Sequence, residues 1–274
     1  MCLVIFAHQT CPGYPLVLAA NRDEFHARET DGSSFWAEHP EILAGRDLKA
    51  GGTWMGMTRT GRFAAITNYR DPSTRFNAPR SRGELPLDFL IGDSSAQAYL
   101  DNVATRAQEY AGFNLLLGDT NNLWYYSNRP YAPGQTPPAP LKLQPGLYGL
   151  SNASLDTPWP KVELGKQKLN EILDKGPWNH DDLLSVVSNR EQASVEALNL
   201  QGIESEMEQL LSAQFILAGD YGTRSSTTMW IDDQRNVSWR ELGFTRQGGL
   251  RETSKEDFEL SISRLRQNPL DETN

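Results

Sequence analysis

A cysteine stands second in the chain, directly behind the initiator methionine. Methionine is commonly trimmed before a small residue, and trimming would leave a thiol and an α-amino group on one residue. An α-amine titrates near pKa ~8, so it can accept the thiol's proton around neutral pH, directly or through a water, and later deliver it to a leaving amine. A nucleophile of this kind carries its own base, which a cysteine further along the chain could not. The chemistry it permits is attack on an amide carbonyl. That attack also needs polar donors for the developing oxyanion and a charged group to orient the terminal residue. The plain alternative is a small apolar residue filling a buried strand position.

Candidates for those further groups stand where apolar runs end. Asn21-Arg22-Asp23-Glu24 follows Leu16-Val17-Leu18-Ala19-Ala20, and a hairpin would return these polar side chains to the chain terminus. Alternation puts Arg22 and Glu24 on one face, Asn21 and Asp23 on the other. Asn68 and Asn152 close two further runs, Ile66-Thr67-Asn68 and Leu150-Ser151-Asn152. Their amides can donate to an oxyanion or cap a turn. Arg224 is either a substrate clamp or an internal ion-pair partner. Cys11-Pro12 resembles the dipeptide of some regulatory haem sites, and His8, His26, His39 and His180 are possible axial ligands. No CxxCH attachment is present, so any haem would be bound reversibly.

The elements that must position these groups can be read from periodicity. Residues 3–7 and 16–20 are β-prone runs around the turn-forming Pro12-Gly13, which predicts a hairpin starting at residue two, with 21–24 as its polar cap. A second strand pair is expected over 51–58 and 62–69, and a third over 113–119 and 123–126. Helical spacing covers 85–91, 96–110, 162–173 and 183–187. Pro130 to Pro140 reads as a proline-rich surface loop. A strand over 147–152, further strands at 214–217, 226–231 and 237–239, and a charged tail from about residue 251 complete an α+β layering.

The chain has 274 residues, 38% of them apolar and 22% charged, which suits one well-buried globular domain over 1–274 with no linker to divide it. A formal charge of -9 disfavours phosphate-driven binding to nucleic acids. No stretch approaches the roughly 20 apolar residues of a membrane span, and residues 1–8 lack the basic start and cleavage site of a signal peptide. Two cysteines suit a reducing compartment, so a cytoplasmic location is expected.

Several blocks together resemble a known family. Met1-Cys2 before a strand, Ala20-Asn21-Arg22-Asp23-Glu24-Phe25, Gly51-Gly52-Thr53-Trp54, Thr67-Asn68-Tyr69-Arg70, Ser81-Arg82-Gly83, Gly149-Leu150-Ser151-Asn152 and Tyr221-Gly222-Thr223-Arg224-Ser225 look like those of the NRDE family, also called transport and Golgi organisation protein 2. That family is in turn similar to N-terminal nucleophile (Ntn) hydrolases of the penicillin V acylase and bile-salt hydrolase type. The resemblance implies a four-layer αββα sandwich with two stacked antiparallel sheets. It also implies roles: Cys2 as nucleophile and base, Arg22 and Asp23 orienting it, Asn68 and Asn152 serving the oxyanion, and Arg224 completing the site. Because Asp23 and Glu24 both follow Arg22 directly, the choice of orienting carboxylate stays open.

Two functions are expected from these residues. One is Cys2-dependent hydrolysis of a non-peptide C–N bond in a small amide, with no cofactor required. The other is non-covalent handling of haem or of a lipid or acyl-CoA ligand in the same pocket, as the resemblance implies.

Overall fold

The computed structural model describes residues 2–70, 78–129, 136–194, 196, 198 and 209–261. The expected hairpin is β1 (Cys2–Cys11) paired with β2 (Tyr14–Phe25), Cys2 lying opposite Arg22 and His8 opposite Leu16. Residues 21–24 are not the polar cap that their composition predicts. They continue β2, because β12 (Tyr221–Ile231) lies along all four of them and β1 along Asn21 and Arg22. This pairing satisfies backbone N–H and C=O groups, so a polar stretch stays extended and largely buried.

One antiparallel sheet runs β10 (Gly146–Leu150), β1, β2, β12, β13 (Asn236–Phe244), β14 (Leu250–Glu259), with β11 (Leu217–Ala218) paired to β12. The other is a meander of β3 (Thr30–Phe35), β4 (Ile42–Asp47), β5 (Met55–Thr58), β6 (Phe63–Asn68), β7 (Phe113–Gly118), β8 (Leu123–Ser127) and β9 (Leu141–Lys142). The charged segment expected as a tail from about residue 251 forms a largely exposed edge strand up to Glu259; residues 262–274 lie outside the described residues. So does most of the predicted proline-rich loop.

Alternation along the strands sorts the side chains into layers. Val4, Phe6, Leu18 and Ala20 meet Met57, Ala65 and Leu116 between the sheets. Leu3, Ile5, Val17 and Ala19 face away, against Val162 and Leu169 of α3 (Pro160–Lys175) and Leu183 of α4 (His180–Leu184). On the far side, Ala64, Leu115 and Leu117 pack under α1 (Glu84–Ile91) and α2 (Ala96–Thr105) through Leu85, Phe89, Leu100 and Val103. The order is helix, sheet, sheet, helix. Because both sheet faces are buried, the strands read as unbroken apolar runs rather than as alternating ones. The helix expected over 96–110 ends at Thr105 and is followed by a short 3-10 turn, Ala107–Glu109.

One histidine ties the helical layer to the first sheet. His180 places Nδ1 2.8 Å from Thr228 Oγ1 and Nε2 3.0 Å from Ser238 Oγ, with its ring 4.3 Å from that of Trp230. Burial pulls its pKa down to about 4. The unfolded chain, with an ordinary histidine near ~6.5, then takes up the proton first. Stability is therefore full above that pH and is lost as pH falls towards 4. Urea midpoints compared at pH 7 and pH 4.5 should reveal a loss on the order of 2 kcal/mol that His180→Gln abolishes; identical slopes in both proteins would discount the histidine.

Candidate active site

Cys2 begins β1 and shares a face with its cross-strand partner Arg22, at one end of the space between the sheets. There a cavity of about 100 Å³ opens, lined by Cys2, Arg22, Asp23 and Glu24 from the first two strands and by Asp47, Trp54 and Asn68 from the opposite sheet and its connections. Burial pushes the Cys2 thiol above its usual range; Arg22 and the Asp23 backbone N–H act in the other direction. The resting sulfur is thus protonated near neutral pH and needs a base to become a nucleophile.

The four polar residues of β2 divide by face, as strand alternation requires. Arg22 is only 7% exposed, its guanidinium lies 4.2 Å from the centre of the Trp54 ring, and its buried Nη1 has no hydrogen-bond partner. Trp54 reaches that place because residue 45 is glycine: a Cβ there would stand 2.2 Å from the indole. Glu24 also borders the cavity, partly exposed, with Oε1 accepting the Phe25 N–H at 2.9 Å.

Asn21 and Asp23 point the other way. Asn21 donates through Nδ2 to the carbonyls of Val187 and Gln214, at 2.7 and 2.9 Å, and accepts from Ser226 Oγ at 2.5 Å. Asp23 accepts from Thr223 Oγ1 at 2.7 Å. Burial raises its pKa, opposed in part by Lys161 and Arg22. Of the two candidate carboxylates, Asp23 is the one enclosed behind the nucleophile, and Glu24 stands on the open side.

Lys161 has no role in the sequence reading. It is 4% exposed in the first turn of α3, donates Nζ to the Leu211 carbonyl at 3.0 Å, and is drawn down to about 8 by burial, with Asp23 and Cys2 supporting its charge. A lysine early in an amphipathic helix looks like a solvated one, so nothing in the sequence signals this burial.

The two asparagines are adjacent but differently engaged. Asn152, fully buried, donates Nδ2 to the Asn68 carbonyl at 2.9 Å, and its neighbour Ser151 donates Oγ to the Cys2 carbonyl at 3.0 Å. Thr67 Oγ1 donates to the Ser151 carbonyl at 2.5 Å. These bonds stitch the ends of the two sheets together beside Cys2. Asn68 borders the cavity, and its side chain hydrogen-bonds to none of the described residues. Asn68 thus presents a free amide, while Asn152 fixes the backbone that carries it.

Arg224 is not the ion-pair partner, one of the two roles expected of it. It sits at a bulge between Thr223 and Ser225, forms no ion pair among the described residues, and donates Nη1 to the carbonyls of Phe25 and Arg28, at 2.8 and 2.9 Å. It secures the chain leaving β2 and is not among the cavity's lining residues.

Arg82 does border the cavity, although no role attaches to it from the sequence beyond its Ser81-Arg82-Gly83 block. It donates Nη1 to the Gly112 carbonyl at 2.9 Å. Its loop is drawn in by the Thr53 N–H, which donates to the Gly83 carbonyl at 3.0 Å. A Cβ on Gly52 would meet the Gly83 carbonyl carbon at 2.4 Å, so this approach requires glycine.

The residues considered for haem are spread over separate elements. His8 is buried in β1, His26 follows β2, His39 lies between β3 and β4, and Cys11 closes β1. Both ring nitrogens of His180 are engaged by hydroxyl groups. Among the described residues, no group of three or more His, Cys, Asp or Glu is placed to hold a metal ion. Among them, too, no helix is long and apolar enough to cross a membrane.

A family model described as Transport and Golgi organisation 2 matches residues 1–246. The Transport and Golgi organization protein 2 homolog of Bos taurus is 38% identical over 282 residues, which span 95% of this chain and 99% of the relative. The Homo sapiens homolog is 38% identical over 261 residues, 88% of this chain and 92% of its own. Among solved structures, a Caenorhabditis elegans ortholog of N-acylethanolamine-hydrolyzing acid amidase superposes with a TM-score of 0.49 at 11% identity, covering 84% of this chain and 92% of that one. A mutant conjugated bile acid hydrolase from Clostridium perfringens gives 0.39 at 10% identity, with 96% and 98% covered.

Proposed function

This chain belongs to the transport and Golgi organisation 2 family, and from the surroundings of its second residue we propose that it is an N-terminal cysteine amidohydrolase acting on a non-peptide C–N bond. The observation that carries this reading is the placement of Cys2 on a cavity shared with a buried guanidinium that has no hydrogen-bond acceptor and with an asparagine whose amide is free among the described residues.

With Met1 removed, the Cys2 α-amine takes the thiol proton and Sγ bonds to the substrate carbonyl carbon. Asn68 donates to the oxyanion that develops. The C–N bond then breaks, the α-ammonium returns its proton to the departing amine, and a thioester remains on Sγ. Water, deprotonated by the same α-amine, attacks that thioester; the acid leaves and the thiol is restored. Buried Asp23 holds the ammonium form during each transfer, and Lys161 behind it offsets the cost of keeping that carboxylate ionised.

The cavity also bears on the rival reading. Pockets that enclose drug-sized ligands run to ~300–1,000 Å³ and are mostly apolar. A recess of about 100 Å³ with several charged side chains suits the head of a small amide better than a haem or an acyl chain.

Rapid acid quenching during incubation with a panel of N-acyl amides should trap the acyl group on the peptide that begins at Cys2, detected by intact mass and peptide mapping. A mature chain that keeps Met1, or acylation confined to Cys11, would overturn the proposal.

A further inference from the structure

Three guanidinium groups border the cavity, and they are not equally occupied. Arg28 is bound by Asp47, Nη2 to Oδ2 at 2.5 Å, and the other oxygen of Asp47 accepts the Lys49 N–H at 3.1 Å. Glu24 is turned to its own strand. Asp23 bonds Thr223 on the opposite face of β2. Arg22 is left with stacking on Trp54 and a buried Nη1 that meets no acceptor. Arg82, beyond its bond to the Gly112 carbonyl, has no acceptor or ion-pair partner among the described residues. Burial works against the charge on both of these arginines.

A desolvated guanidinium without an acceptor costs free energy that a fold has no reason to bear for stability, since an apolar side chain of similar size would fill the place at less cost. Arg22, on β2, is such a group; Arg82, half-buried in the loop before α1 and bonded only to the Gly112 carbonyl, joins it at the rim of one small recess, and both keep unfilled planar donors that match oxyanions.

We propose that Arg22 and Arg82 form an oxyanion subsite beside Cys2, so that the ligand bears a carboxylate or phosphate next to the carbonyl that Cys2 attacks. This rests on the amidohydrolase reading and narrows it to anionic amides. Trp54 and Ile66 supply the apolar lining, on which the uncharged part of the ligand would lie.

Alkylation rates test the subsite without knowledge of the substrate. Iodoacetate and iodoacetamide differ in charge but present the same reactive carbon, and peptide mapping separates Cys2 from Cys11, which serves as the internal reference. For Cys2 the iodoacetate-to-iodoacetamide rate ratio should exceed that of Cys11 by about tenfold and shrink as salt is raised. Arg82→Gln should bring the ratio down to that of Cys11 while the iodoacetamide rate stays within about twofold; Arg82→Lys should keep part of it. A ratio equal to that of Cys11, or one that Arg82→Gln does not change, overturns the subsite.

Should Cys2 resist both reagents, the amidohydrolase reading falls by itself. The subsite is then decided by equilibrium binding, comparing N-acetylglycine with neutral N-methylacetamide through the ¹⁵Nε resonances of Arg22 and Arg82. Selective shifts with the anion support it, and equal responses sink it. Inorganic phosphate and acetate, each run as a protectant against iodoacetamide or as a titrant of the same resonances, distinguish a phosphate ligand from a carboxylate.

Discussion

Cys2→Ala abolishes amide turnover by at least about a thousandfold and leaves the melting temperature within about 2 °C, because the thiol supplies the bond-forming electrons and very little of the core. Its side chain borders a recess rather than packing among the apolar residues of β1, so truncation creates no large new void. Cys2→Ser is the sharper version. It keeps size and polarity but presents a hydroxyl that the same α-amine deprotonates poorly, so its rate should fall nearly as far. Turnover assayed on whichever N-acyl amide forms the trapped intermediate provides the check, with calorimetry alongside. Full activity in the alanine protein would remove the sulfur from the mechanism altogether.

Asn21→Ala should damage the fold instead of the chemistry, by about 3 kcal/mol or more. Three hydrogen bonds converge on this side chain from the helical layer and β12. Its loss strands two buried carbonyls and a buried hydroxyl, each costing ~1–3 kcal/mol. Against the 5–15 kcal/mol typical of a folded domain, that is a large fraction. Urea denaturation of soluble protein measures it; a change under 1 kcal/mol would show that water replaces the amide without penalty. At the next position the expectation reverses. Arg22→Met exchanges an unpartnered buried cation for an apolar side chain, so stability should hold or rise while activity is lost.

That contrast explains how much was legible in the sequence. The strands β1, β2, β7 and β8 and the helices α1 and α3 announce themselves, because long apolar runs or 3.6-residue spacing leave few alternatives. Residues 21–24 do not. Their polarity points to a turn, and it is pairing along their whole length with β12, about two hundred residues away, that keeps them extended. The strands β3 and β4, with sequences TDGSSF and ILAGRD, lack periodicity and carry a single β-branched residue each, Thr30 and Ile42, and are held by neighbours instead of by propensity.

At the site, Cys2, Arg22, Asp23 and Asn68 come together at one cavity because the β1–β2 register fixes the first three and β6 of the opposite sheet brings up Asn68. Arg224 illustrates the limit: a buried arginine near the right strand is equally able to hold a backbone turn, and it does so. Arg82 and Lys161 were out of reach because each is placed by a packing event with no local signature, a glycine contact in one case and a helix docking in the other.

The missing side chain at residue 45 sets the shape of the recess from outside it. Its absence admits the indole of Trp54, and the indole in turn supports Arg22. Anyone wishing to enlarge the chamber for bulkier amides would begin at that aromatic floor, trading Trp54 for a smaller ring. The vacancy left at residue 45 would then become spare room, gained at the expense of the stacking that steadies Arg22.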